Sequence, residues 1–211
     1  MGIGTATSNL VTGLIRLVGP VVMLCVAYGA AFVLMATPIT VLDPFLEGAP
    51  GTWLTGGHLA IMVAFFLSML SNRARGPAFA FAALVAAWVL IGAGVIYLAA
   101  HPIAQIPSPD VAALRAGTPL LAALFSAHVV NILAFDAMRG IPWWRAPLFG
   151  GAIAAIALPA AYWLIAKSGD VMWLNRMTLD IALKATTVLL LLIPFAMLRS
   201  ATRPRNGFGG Y

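Results

Sequence analysis

Residues 78–100 read AFAFAALVAAWVLIGAGVIYLAA, an apolar run without one charged side chain. About 20 such residues in a helix cross the hydrocarbon core of a bilayer. The run is hydrophobic all round and rich in small residues, so lipid or another protein must cover it.

Further apolar runs lie at 17–36, 57–71, 118–138, 147–166 and 178–198. Together they predict an all-α integral membrane protein, a bundle of six transmembrane helices. Unpaired backbone groups are not tolerated in hydrocarbon, and the ten-residue alternation of a membrane barrel is absent. Composition agrees: of 211 residues, 62% are hydrophobic and only 9% charged, against about 25% charged in soluble domains. The first run is too long for a signal-peptide core and is read as a retained span. Cys25, the lone cysteine, lies inside it, so no disulfide can form within the chain.

The net charge of +6 gathers no basic patch for nucleic acid; the basic residues sit at the ends of apolar runs. One set of connections and the tail carry Arg73, Arg75, Arg139, Arg145, Arg199, Arg203 and Arg205. The alternate connections carry only Arg115, Lys167 and Arg176. The positive-inside rule therefore predicts both termini in the cytoplasm. The expected organisation is an interfacial segment over 1–16, a membrane domain over 17–199 and a flexible tail over 200–211. Prolines in TPITVLDPFLEGAP and HPIAQIPSPD mark the outer connections.

Ionisable groups inside spans cost about 2.5 to 3.5 kcal/mol each on insertion scales, and so ask for a partner or a purpose. Asp180 and Lys184 are four residues apart, on one helix face. They read either as a substrate or ion site, or as an ion pair near the outer interface with Lys184 snorkelling outward. His128 and Asn131 share a face near mid-membrane and could bind a ligand or link helices. His58 opens the second run and Asn72 closes it; Asp136 with Arg139 reads as an interface pair. Trp143, Trp144 and Arg145 fall at headgroup level, where indole rings prefer to sit, and read as an anchor. Phenylalanine and methionine are abundant but suggest only packing, with no aromatic box. No Cys/His metal spacing, nucleophile elbow or phosphate loop occurs. Neither catalysis nor a cofactor is expected.

FDAMR and PWWRAPL within 135–148, followed by LDIALKATTVLLLLIPFAML at 179–198, resemble the queuosine-precursor transporter family. That family is also called vitamin-uptake-transporter-like, and its members have six helices. Phe135, Asp136, Arg139, Trp143, Trp144, Arg145, Ala146 and Pro147 match one block of the family pattern. Asp180, Lys184, Pro194 and Phe195 match another, and SNRARGPAFA is similar to a third. The similarity runs in register from about residue 52 to 199. Departures fall at Ser68 and Met69, where the family has threonine–aspartate, and at Asn131 and near Pro159, where it has aspartates.

The resemblance implies uptake of a 7-deazaguanine-like precursor or related heterocycle across a bacterial inner membrane. His128, Asn131, Asp180 and Lys184 would then contact the small-molecule substrate, with His58 and Asn72 behind them. The missing acids support a rival expectation, a non-catalytic accessory subunit of a larger membrane complex that keeps the fold. A homo-oligomer is a further expectation on the partner side; the lipid bilayer is common to all.

Overall fold

A computed structural model describes residues 3–46, 48–101, 111–166 and 171–204. Six helices account for most of them: α1 (Ile3–Leu34), α2 (Gly56–Arg75), α3 (Pro77–Ala100), α4 (Val111–Ala137), α5 (Arg145–Ala166) and α6 (Trp173–Leu198). All six are long and apolar enough to cross a membrane, and no strand occurs among the described residues.

The helices outrun the apolar runs that announce them. α1 continues without a break through residues 3–16, α2 reaches Arg75, and α6 begins at Trp173 rather than 178. Hydropathy marks where lipid begins, whereas backbone hydrogen bonds carry a helix on until something stops it. Between α2 and α3 the stop is one residue. Gly76 takes φ 90°, its N–H bonds the Asn72 carbonyl at 2.8 Å, and Pro77 starts α3 where a missing N–H does no harm. Pro20, Pro119, Pro159 and Pro194 all lie within helices. Such prolines are tolerated in spans because neighbouring groups re-satisfy the freed carbonyls.

Contacts at the helix ends define two faces of the bundle. At one, Arg75 donates to the Arg16 carbonyl, Arg139 reaches Asn72, and Arg199 lies over Trp143. At the other, Pro38 pairs with Thr55, Trp53 packs on Trp163, and Gly48 sits against Met172. The connection between α1 and α2 is pinned there by Asp43, whose Oδ1 accepts the Gly51 N–H at 2.6 Å. Glu47, the 102–110 connection, Lys167 and the tail from 205 lie outside the described residues.

α2 is the axis of the bundle and packs against every other helix. Its span is 61% buried, against 17% for α6 and 22% for α3. It is also the least apolar of the six, which inverts the rule for soluble proteins. Lipid rewards apolar surface on the outer helices, so polar side chains such as Ser68, Asn72 and Arg73 collect on the central one. Gly57 lets α1 come close: a Cβ there would lie 2.5 Å from the Ala31 carbonyl oxygen.

Candidate functional site

The site is assembled around α6. Because that helix starts at Trp173, Asp180 stands about two turns inside it, not at its edge. Lys184 is only 1% exposed and Asp180 2%, so the expectation of an outward-snorkelling lysine is overturned. The Lys184 ammonium bonds Asp180 Oδ1 one turn away along the helix. The other carboxylate oxygen accepts the Trp163 indole N–H of α5 at 3.3 Å. Pairing and a third hydrogen bond are what a buried carboxylate requires.

A cavity of about 10 Å³ adjoins this pair, lined by Met35, His58, Ile61, Leu120, Leu158, Pro159, Tyr162, Asp180 and Lys184. That is room for about one water molecule. His58 is oriented by the start of α2: the Thr55 backbone N–H donates to its Nδ1 at 3.3 Å, and the Thr55 hydroxyl lies 2.9 Å from the same atom. An Nδ1 that accepts leaves the ring proton on Nε2 of a neutral imidazole. Trp53 packs edge-on against both His58 and Trp163, at 6.4 and 5.4 Å between centroids. The cavity thus brings an acceptor, Asp180, together with the side chains of Lys184 and His58, beside the Tyr162 ring.

His128 and Asn131 belong to a different part of the molecule and do not line this cavity. His128 is fully buried and stacks on Phe65 of α2 at 3.8 Å. Its Nδ1 lies 3.1 Å from the Leu124 carbonyl, and its Nε2 lies 3.2 Å from the Tyr28 hydroxyl. The Trp88 indole in turn donates to Tyr28 at 3.1 Å. This chain ties α1, α3 and α4 together in the apolar interior. Asn131 donates to the Gly150 carbonyl of α5 at 2.9 Å, while its Oδ1 is buried without a partner. The Ser68 hydroxyl is likewise buried without one.

Asn72 closes the other face of the bundle. It donates to the Ile132 carbonyl at 2.8 Å and accepts from Arg139, whose Nε binds Asp136 at 2.5 Å. The expected Asp136–Arg139 pair is therefore present and also clamps α2 to α4. The two tryptophans part company: Trp143 packs half-buried against the Phe66, Phe135 and Phe195 cluster, whereas Trp144 is 41% exposed beside exposed Arg145.

Sequence reasoning missed the aromatic members of both polar groups: Tyr28 and Trp88 around His128, Trp53 and Trp163 around Asp180. An available signal was the polar tip: a tyrosine or tryptophan deep in a span needs a hydrogen-bond partner there. Among the described residues no cluster of histidine, cysteine and acidic side chains could hold a metal ion.

The fold defines a class, a six-helix protein of multi-pass membrane type. No protein-family model, curated protein or solved structure matches the chain.

Proposed function

We propose that this chain is a membrane transporter for a small heterocycle, 7-deazaguanine-like as its motif resemblance implies, bound beside the Asp180–Lys184 pair. The observation that carries the reading is that pair, buried in a span and bordering a cavity. A buried ion pair can often be replaced by apolar residues of similar volume at no loss of stability, so its presence asks for a use. A purine-like base offers adjacent donors and acceptors on its edge. Asp180 would accept from it, and Lys184 and the Nε2–H of His58 would donate. Tyr162 supplies flat apolar surface in the lining of the same cavity. His128, Asn131 and Asn72 hold the helices rather than the ligand in this reading.

The cavity admits one water, so a base enters only when the helices part. Pro159 lines it and Pro119 adjoins the lining residue Leu120. The freed carbonyls of such prolines let a helix bend at that level. Alternating exposure of the pocket would follow, with both termini in the cytoplasm of a bacterial inner membrane. Specific binding stabilises the folded chain by about 2.7 kcal/mol at a hundredfold excess over Kd. Detergent-purified protein is expected to gain thermal stability with one deazapurine or purine, and to lose the gain in Asp180→Asn.

The small cavity and the sparsely covered α3 and α6 favour a second reading, an accessory subunit of a larger membrane complex. Extraction in mild detergent separates the two. A subunit co-migrates with partners in fixed proportion, and a transporter runs alone or as a small homo-oligomer.

A further inference from the structure

One side chain links the start of α2 to the buried pair. His58 is the third residue of that helix and forms a capping box with Thr55 at its N-cap. Its Nδ1 accepts the Thr55 N–H at 3.3 Å. The Thr55 hydroxyl lies 2.9 Å from the same nitrogen and 3.3 Å from the Met35 sulfur. Around Thr55 the chain is tied to the segment that follows α1. Pro38 pairs with Thr55, the Gly56 N–H donates to the Thr37 carbonyl at 2.8 Å, and the Ile39 N–H donates to the Leu54 carbonyl at 2.9 Å. Trp53 packs edge-on against the His58 ring. The bond from His58 to Thr55 therefore holds the point where the connection, Trp53 and α2 meet. His58 is half-buried, so solvent protons reach it, and it lines the same cavity as Asp180 and Lys184.

A neutral imidazole can accept at Nδ1, whereas an imidazolium cannot, because both its nitrogens carry protons. The Thr55 N–H would then face another donor. The first turn of α2 also presents N–H groups that repel a cation. Asp180 is the acid in the cavity lining; the other titratable groups there are Lys184 of α6 and Tyr162 of α5. The end of α1 and α4 bring Met35 and Leu120, which do not titrate. We propose that His58 is an acid-operated latch on the Asp180 cavity. A proton taken from solvent at Nδ1 breaks the bond to Thr55, turns the ring toward Asp180, and opens the cavity at the face where α2 begins. Loss of the proton restores the capping box and closes the cavity. The latch rests on the transport reading, for which it supplies the entry step and ties that step to proton uptake.

The test uses the full chain in non-ionic detergent, without any ligand. In a Cys25→Ser background, Ile61→Cys puts a thiol in the cavity lining, and Val41→Cys, in a separate protein, puts one on the exposed connection as reference. The rate of maleimide labelling at the first, divided by that at the second, is followed from about pH 8 to about pH 5, where histidine changes charge. The expected result is a ratio that rises about tenfold on acidification, the effect of losing one hydrogen bond. His58→Gln keeps an acceptor of the usual capping-box kind but takes up no proton, so its ratio should stay low throughout. His58→Ala removes the acceptor and should give a high ratio at every pH; should it not fold, His58→Gln decides alone. Asp180 and the reporter thiols still titrate in His58→Gln, so a rise that persists there belongs to them and overturns the latch. A flat ratio in the chain with His58, or a His58→Ala chain as closed as His58→Gln, overturns it too. Ligand titration of the same protein fails separately. A cavity that opens with acid yet binds no heterocycle removes the transport reading, and one that binds a heterocycle with a flat ratio removes the latch.

Discussion

Asp180 and Lys184 show how a residue's meaning depends on depth. At an interface the pair would be dispensable; two and three turns inside a span, each is an uncompensated charge if the other is removed. Lys184→Ala alone is therefore expected to lower stability by about 3–5 kcal/mol, measured by thermal denaturation in detergent. The double change Asp180→Leu with Lys184→Met should recover most of that loss, because an apolar pair of similar size carries no desolvation penalty. If the single variant is as stable as the double, the two side chains are not the isolated pair described. His128 makes a milder case. His128→Phe keeps the stack on Phe65 but leaves the Tyr28 hydroxyl with one bond fewer, and should cost about 1–2 kcal/mol in the same measurement.

At the scale of elements, the six spans were legible in the sequence and their ends were not. Long apolar runs without charge have few other readings, but a run records contact with lipid and not the reach of the hydrogen-bond ladder. Residues 3–16 and 173–177 are helical although only weakly apolar on their own. That gap hid the depth of Asp180. The charged site residues stood out because ionisable groups are rare in spans. Trp163 and Tyr28 did not, because an aromatic ring among apolar neighbours reads first as packing. Two glycines carry the geometry between elements. Gly57→Leu would drive a side chain into the Ala31 carbonyl, 2.5 Å from its Cβ, and should prevent α1 from seating on α2. Loss of a monodisperse peak on size exclusion is the expected outcome. Gly76→Ala places a Cβ at φ 90° in the single-residue turn and should cost about 1–2 kcal/mol, read as a lower thermal midpoint.

For the whole molecule, polarity is arranged from the axis outward. The central α2 carries buried polar side chains, and α3 and α6 offer lipid their nearly continuous apolar faces. Charge is arranged end to end: Arg73, Arg75, Arg139, Arg145 and Arg199 at one face, Asp43 and the proline-rich connection at the other. The basic face should lie in the cytoplasm. In a Cys25→Ser background, a cysteine at Arg203 should resist a membrane-impermeant maleimide on intact cells, and one at Val41 should react; the reverse pattern would invert the bundle.

The most direct test of the account asks whether the Asp180 pocket binds a ligand. Purified wild type and the Asp180→Leu/Lys184→Met double variant would be titrated with 7-deazaguanine precursors, purines and flavin-like heterocycles while the thermal midpoint is followed. A rise with one compound in the wild type, absent from a double variant of comparable basal stability, is the predicted result. No rise with any compound, or an equal rise in the double variant, would contradict the claim that the buried pair serves a substrate.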